Sequence, residues 1–164
     1  MNKRNILIAA VAIIAVAVTS YTIFFSNEDG NNTTASTDAV INENGDIEIP
    51  ISDITDQAAF YAYDELDTKM EVIAVKASDG TIRTAFNTCQ VCYSSGRGYY
   101  VQEGDSLICQ NCGNRFQMDD VEVTKGGCNP VPIYDEQTEA NSETIVIPKE
   151  FLQEAEVIFQ NWKI

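Results

Sequence analysis

The sequence predicts a mainly β, α+β protein: a small antiparallel β domain with two Cys-x2-Cys metal knuckles and a short C-terminal helix, preceded by one transmembrane helix. Three observations carry this expectation. Residues 5–25, "NILIAAVAIIAVAVTSYTIFF", contain no charged side chain. The middle of the chain is filled by short apolar runs separated by Gly, Asp and Ser, the punctuation of strands and hairpins. Four cysteines form two Cys-x2-Cys pairs separated by sixteen residues.

As a helix, the leading apolar run would extend roughly 30 Å, the thickness of a bilayer core. Asn2-Lys3-Arg4 gives it a positive flank, while the rest of the chain is more acidic than the overall net charge of -15. The positive-inside rule then places the N-terminus in the cytoplasm and the acidic body outside. A cleaved signal peptide is the rival reading, with Ala15-Val16-Ala17 as its small-x-small site. The continuation through Tyr21-Thr22-Ile23-Phe24-Phe25 favours an uncleaved anchor, and no cysteine lies near this end to carry a lipid. The expected setting is therefore the cell membrane, single-pass, with an extracytoplasmic C-terminal domain. The acidic charge argues against nucleic acid and against docking on anionic lipid.

Residues 26–49 are polar and rich in Asn, Thr and Gly. Such a stretch buries too little apolar surface to offset its ordering entropy, so it is expected as a flexible tether spanning roughly 25–30 Å. Its Asn-x-Thr triplets at Asn31 and Asn32 are read as tether composition. From residue 50 to 164 the chain is expected to form the cysteine-rich domain. Strands are predicted at 58–64 ("AAFYAYD") and 69–77 ("KMEVIAVKA"), then a hairpin through "SDGT" into 82–86 ("IRTAF"). Residues 98–110 read as a second hairpin turning at Glu103-Gly104-Asp105. Residues 115–123 read as a strand bulged at Asp119-Asp120, and 144–148 as a last strand. Phe151, Ala155, Ile158 and Trp162 recur at helical spacing after Pro148, which predicts the terminal helix.

Cys89, Cys92, Cys109 and Cys112 carry the chemistry. Two residues between thiolates let the chain wrap both sulfurs around one ion, and Gly113 permits the left-handed turn that closes the second knuckle. Phe116 is placed to shield the site. Three readings of these four residues compete: a tetrathiolate zinc or iron site, an iron–sulfur cluster, and disulfides or a thiol-exchange pair. Thiol exchange ranks last, because both pairs sit at strand ends and not at helix N-termini. The chain has no histidine, which removes His-containing zinc sites, Rieske centres, haem attachment and Ser/Cys–His catalysis. A fifth cysteine, Cys128 in "KGGCNPVP", is expected to take part in the site as ligand or neighbour, since an idle exposed thiol is a liability. No catalytic residues are assigned. Asp119-Asp120 is read as a turn, and Tyr93, Tyr99 and Tyr100 as strand packing in preference to an electron path.

Residues 59–133 resemble the FtrD-like membrane iron–sulfur family. The motifs are Asp79-Gly80, Ala85-Phe86 leading to Cys89, Cys92 and Tyr93, Gly98-Tyr99, Cys109/Cys112/Gly113/Phe116, and Gly126–Pro130. The resemblance implies an iron–sulfur or other thiolate–metal protein at a membrane, linked in some members to ferrous iron uptake. The expected function is a membrane-anchored extracytoplasmic iron–sulfur or iron-binding protein, in electron transfer or iron handling beside a membrane iron transporter. An iron permease or a redox protein would be its partner. It is expected to be a redox or metal-binding accessory protein more than a catalyst. The alternative is a zinc-stapled β binding module without redox activity. The expected metal residues are Cys89, Cys92, Cys109, Cys112 and Cys128, and the cofactor an iron–sulfur cluster or iron, with zinc as the alternative.

Overall fold

The computed structural model describes residues 36–164. In chain order the strands are β1 (Ser36–Asp38), β2 (Val40–Ile41), β3 (Ile47–Pro50), β4 (Ala59–Tyr63), β5 (Met70–Lys76), β6 (Ile82–Cys89), β7 (Tyr100–Glu103), β8 (Ser106–Cys109), β9 (Arg115–Gln117), β10 (Pro130–Ile133), β11 (Glu139–Ala140) and β12 (Thr144–Ile147). The helix α1 (Lys149–Ala155) follows and tightens into a 3-10 turn at Glu156–Ile158. Three sheets result, ordered β1-β4-β5-β6-β10, β11-β12-β3-β2 and β7-β8-β9.

β5 explains the layering. Its run "MEVIAVK" is buried at every position but Lys76, and side chains alternate between two faces along a strand. Met70, Val72 and Ala74, with Phe86 of β6, join one core with Ile47 and Ile49 of the four-stranded sheet and Leu152 and Phe159 of the C-terminal segment. Ile73 and Val75, with Ala85 of β6, join a second core with Tyr100, Leu107 and Phe116 of the three-stranded sheet. The five-stranded sheet is thus the middle layer, and the cysteines Cys89, Cys92 and Cys109 belong to the second core.

Several expectations are corrected. The domain is a mixed α+β fold of three sheets, and β1 pairs with β4 in parallel. The expected tether to residue 49 already holds β1, β2 and β3. Ile47 and Ile49 are fully buried and stand opposite Ile147 and Ile145. A four-residue alternation with a partner near the far end of the chain is lost in the average over a polar stretch. The strand expected at 115–123 stops at Gln117. Beyond it a 3-10 turn covers Met118–Asp120, where the Asp119 carboxylate accepts from the Ser78 backbone N–H and hydroxyl at 2.7 and 2.6 Å. β10 was not expected. Its two prolines suit an edge strand, and it pairs with β6 at the border of the large sheet.

The transmembrane helix is corrected as well. No helix among the described residues is long and apolar enough to cross a membrane. The α-helix has 7 residues, against the roughly 20 a bilayer requires. The expected span at residues 5–25 lies outside the described residues. The single-pass topology, the extracytoplasmic placement and the membrane as partner rested on that span, and the permease or redox protein beside it on the family resemblance. They are withdrawn with it, as is the electron-transfer role, which came from the five-cysteine set and the family resemblance, now that four of the five cysteines group as a site for one ion.

Candidate metal centre

Three segments converge at one end of the second core. β6 ends on Cys89, β8 ends on Cys109, and the loop entering β10 carries Cys128. The Sγ atoms of Cys89, Cys92, Cys109 and Cys128 all lie within 4.8 Å of one another, a four-cysteine cluster able to coordinate a metal ion. Cys89, Cys92 and Cys109 are buried and Cys128 is half-buried. Cys112, expected alongside Cys109, is not one of these four. It is exposed, with its Sγ 2.9 Å from that of Cys128, and Cys128 Sγ in turn is 3.2 Å from Cys89 Sγ.

Each knuckle is shaped by its own backbone bonds. In the first, the Cys92 N–H donates to Cys89 Sγ at 3.3 Å and the Cys89 N–H to the Gly98 carbonyl at 2.7 Å. Gly98 is required by closeness: a Cβ there would stand 2.3 Å from the Cys92 carbonyl oxygen. In the second, the Gly113 N–H donates to the Cys109 carbonyl at 2.8 Å, and the Cys109 N–H to the Asn114 carbonyl at 3.0 Å. Gly113 has φ 72°, the left-handed value expected from the sequence. The Asn114 side-chain amide donates to the Cys128 carbonyl at 2.8 Å, tying the third segment to the second knuckle. Phe116 is buried in the same core.

Sequence reasoning undervalued Tyr100, read as strand packing. Its ring does pack, but its hydroxyl also lies 3.8 Å from Cys128 Sγ. Asn87 locks it in place, accepting the Tyr100 N–H at 2.8 Å and donating to the Tyr100 carbonyl at 3.3 Å. Asn87 also donates to the buried carboxylate of Glu71. The only advance signal was a polar residue two places before Cys89, in an otherwise buried strand. Tyr93 and Tyr99 stand elsewhere: Tyr93 is exposed, and Tyr99 meets Trp162 edge-on at 6.1 Å.

Electrostatically the thiols compete. Burial opposes ionisation of Cys89, but hydrogen bonds from Tyr100 and Cys128 and from the backbone at Val91 and Cys92 bring its thiol below the ordinary value. Burial raises Cys92, Cys128 and Cys109, the last to about 11. The contact with Cys128, and then the Asn114 N–H, lower Cys112 to about 7. So many thiolates crowd together only when a cation neutralises them, and a bound divalent ion deprotonates its thiol ligands outright. The donor set suits a thiophilic metal. Zinc at about 2.3 Å from each sulfur sets its ligands about 3.8 Å apart, compatible with four sulfurs that all lie within 4.8 Å of one another, Cys89 and Cys128 at 3.2 Å.

The family model described as "Membrane iron-sulfur containing protein FtrD-like" matches residues 54–159, which spans both knuckles, the Cys128 loop and all of α1 with the 3-10 turn that follows it. No curated protein and no solved structure matches the chain.

Proposed function

The chain belongs to the FtrD-like family, and from that premise and the sulfur geometry we propose that its domain is a metal-stapled β module without redox activity. Cys89, Cys92, Cys109 and Cys128 hold one thiophilic divalent ion, zinc in this reading. The ion ties the end of the middle sheet to the end of the three-stranded sheet and to the loop before β10. The observation that carries this is the mutual approach of four Sγ atoms within 4.8 Å. That spacing matches one ion's coordination sphere, whereas a polynuclear cluster needs its terminal thiolates further apart. The module acts by binding a partner, not by catalysis, and offers the acidic surface of a chain with net charge -15 for the contact.

A second reading, an iron–sulfur cluster on the same thiolates, is favoured by the family's description and by the all-cysteine donor set. One experiment separates the two. The full chain is purified anaerobically and assayed for zinc, iron and acid-labile sulfide. One zinc per chain without sulfide supports the stapled module. Stoichiometric iron with sulfide overturns it in favour of the cluster.

A further inference from the structure

Five thiols meet where one ion takes four, and the surplus one is not placed at random. Cys112 alone among the five is exposed. Its sulfur is 2.9 Å from Cys128 Sγ. Cys128 is the half-buried member of the inner four, and the other three are buried. The sulfurs are therefore graded from solvent inward: Cys112, then Cys128, then the buried three. The Asn114 amide on the Cys128 carbonyl holds the outer two in register.

We propose that Cys112 is the entry ligand of the centre, through which a thiophilic divalent ion is loaded and released. This rests on the metal-binding reading above. The Cys112 thiolate binds the incoming ion first. Cys128 then displaces it: a Cys128 Sγ–metal bond forms, the Cys112 Sγ–metal bond breaks, and the proton leaving Cys128 passes to Cys112 or to water. No electron is transferred, so no oxidant or reductant is needed. Release runs the same exchange in reverse.

The test uses the full chain with one equivalent of Zn²⁺. Brief iodoacetamide treatment followed by peptide mapping is expected to modify Cys112 while Cys89, Cys92, Cys109 and Cys128 stay protected. Cys112→Ser is expected to bind one Zn²⁺ per chain but to yield it to a competing chelator about tenfold more slowly, having lost a thiol held beside the site at high effective concentration. Protection of Cys112 equal to that of the other four, or transfer from Cys112→Ser at the wild-type rate, overturns the inference. A wild-type chain that takes up no Zn²⁺ instead overturns the metal-binding reading itself, so the two failures are told apart.

Discussion

The knuckle at Cys89–Cys92 and the knuckle at Cys109–Cys112 share one spacing, yet the first is built into the domain and the second rides on its edge. The first leans on Gly98, and the Gly98 N–H donates to the Trp162 carbonyl at 2.8 Å. The Asn161 amide reaches the Ser94 carbonyl at 2.6 Å, and Trp162 itself is buried. Both cysteines of this knuckle are buried. The second knuckle has Cys109 buried and Cys112 in solvent, and a Cβ on its Gly113 would meet nothing within 4 Å. Equal spacing in sequence therefore does not mean equal standing at the site. The knuckle packed by the C-terminal segment supplies fixed ligands, and the open one leaves room for a thiol from elsewhere.

The sharpest way to break this comparison is to remove one sulfur from each knuckle. Cys89→Ser takes a fully buried sulfur from the four-sulfur group. It is expected to abolish ion binding and forfeit the ion's contribution to stability, at most on the order of 10 kcal/mol. Thermal melts by circular dichroism should show it melting well below metal-loaded wild type, at the midpoint of wild type stripped by chelator. Cys112→Ser should melt close to wild type. Equal losses from the two variants would make the knuckles equivalent and sink the distinction.

Glycine substitutions probe the same contrast more gently. Gly98→Ala drives a Cβ to 2.3 Å from the Cys92 carbonyl oxygen and 2.7 Å from Tyr93 Cα, backbone that cannot swing aside. A loss of about 3 kcal/mol is expected from such overpacking. Gly113→Ala meets only its left-handed φ of 72°, a cost of about 1–2 kcal/mol. Urea midpoints of the two metal-loaded variants give the order directly, and a reversed order would break it.

The elements legible in the sequence are those whose signal is local. The continuous apolar run of β5, the hairpin turning at Asp79-Gly80 and the two cysteine pairs can be read without knowing what they touch. β3 and β10 cannot, because each is a short strand stabilised by a partner distant in sequence: Ile47 by Ile147, Val131 by Phe86. At the site, spacing singled out four cysteines and the liability of an idle thiol the fifth, but neither showed their grouping. Whether Cys112 or Cys128 stands with the buried three depends on how the loop before β10 crosses the second knuckle, a path no periodicity encodes. Gly98 was legible only as part of a family motif. Its physical role, close approach to Cys92, exists only once the C-terminal segment is packed.

Thiol chemistry sharpens the contrast within the second knuckle. In metal-free protein the Cys112 thiol is lowered to about 7 and that of Cys109 raised to about 11. At neutral pH this favours the Cys112 thiolate by about 10⁴. The weaker nucleophilicity of a low-pKa sulfur gives back part of that, leaving roughly a hundredfold in alkylation rate, before burial slows Cys109 further. Labelling of Cys112 should rise with pH through a midpoint near 7 and fall away below it, as the proton returns to sulfur. Peptide-resolved iodoacetamide kinetics across pH 5–9 would show this. Comparable rates at the two cysteines would remove the chemical difference that the geometry implies.

The smallest effect concerns the strap between the open knuckle and the third segment. Asn114 contributes two bonds. Its carbonyl closes the knuckle on the Cys109 N–H, and its side chain holds the Cys128 carbonyl at 2.8 Å. Asn114→Ala keeps the first and deletes the second, at an exposed position where water replaces the lost donor. A stability change of about 1 kcal/mol or less is expected. The useful readout is local. Cys128 loses its register with the knuckle, so hydrogen exchange at the Gln90 amide, bonded to the Asn129 carbonyl next to Cys128 at 3.1 Å, should quicken, while the Cys89 amide, bonded to Gly98, stays protected. Faster exchange at Cys89 as well would mean that the edge and the core of the site move as one unit, and the two knuckles would differ in exposure alone.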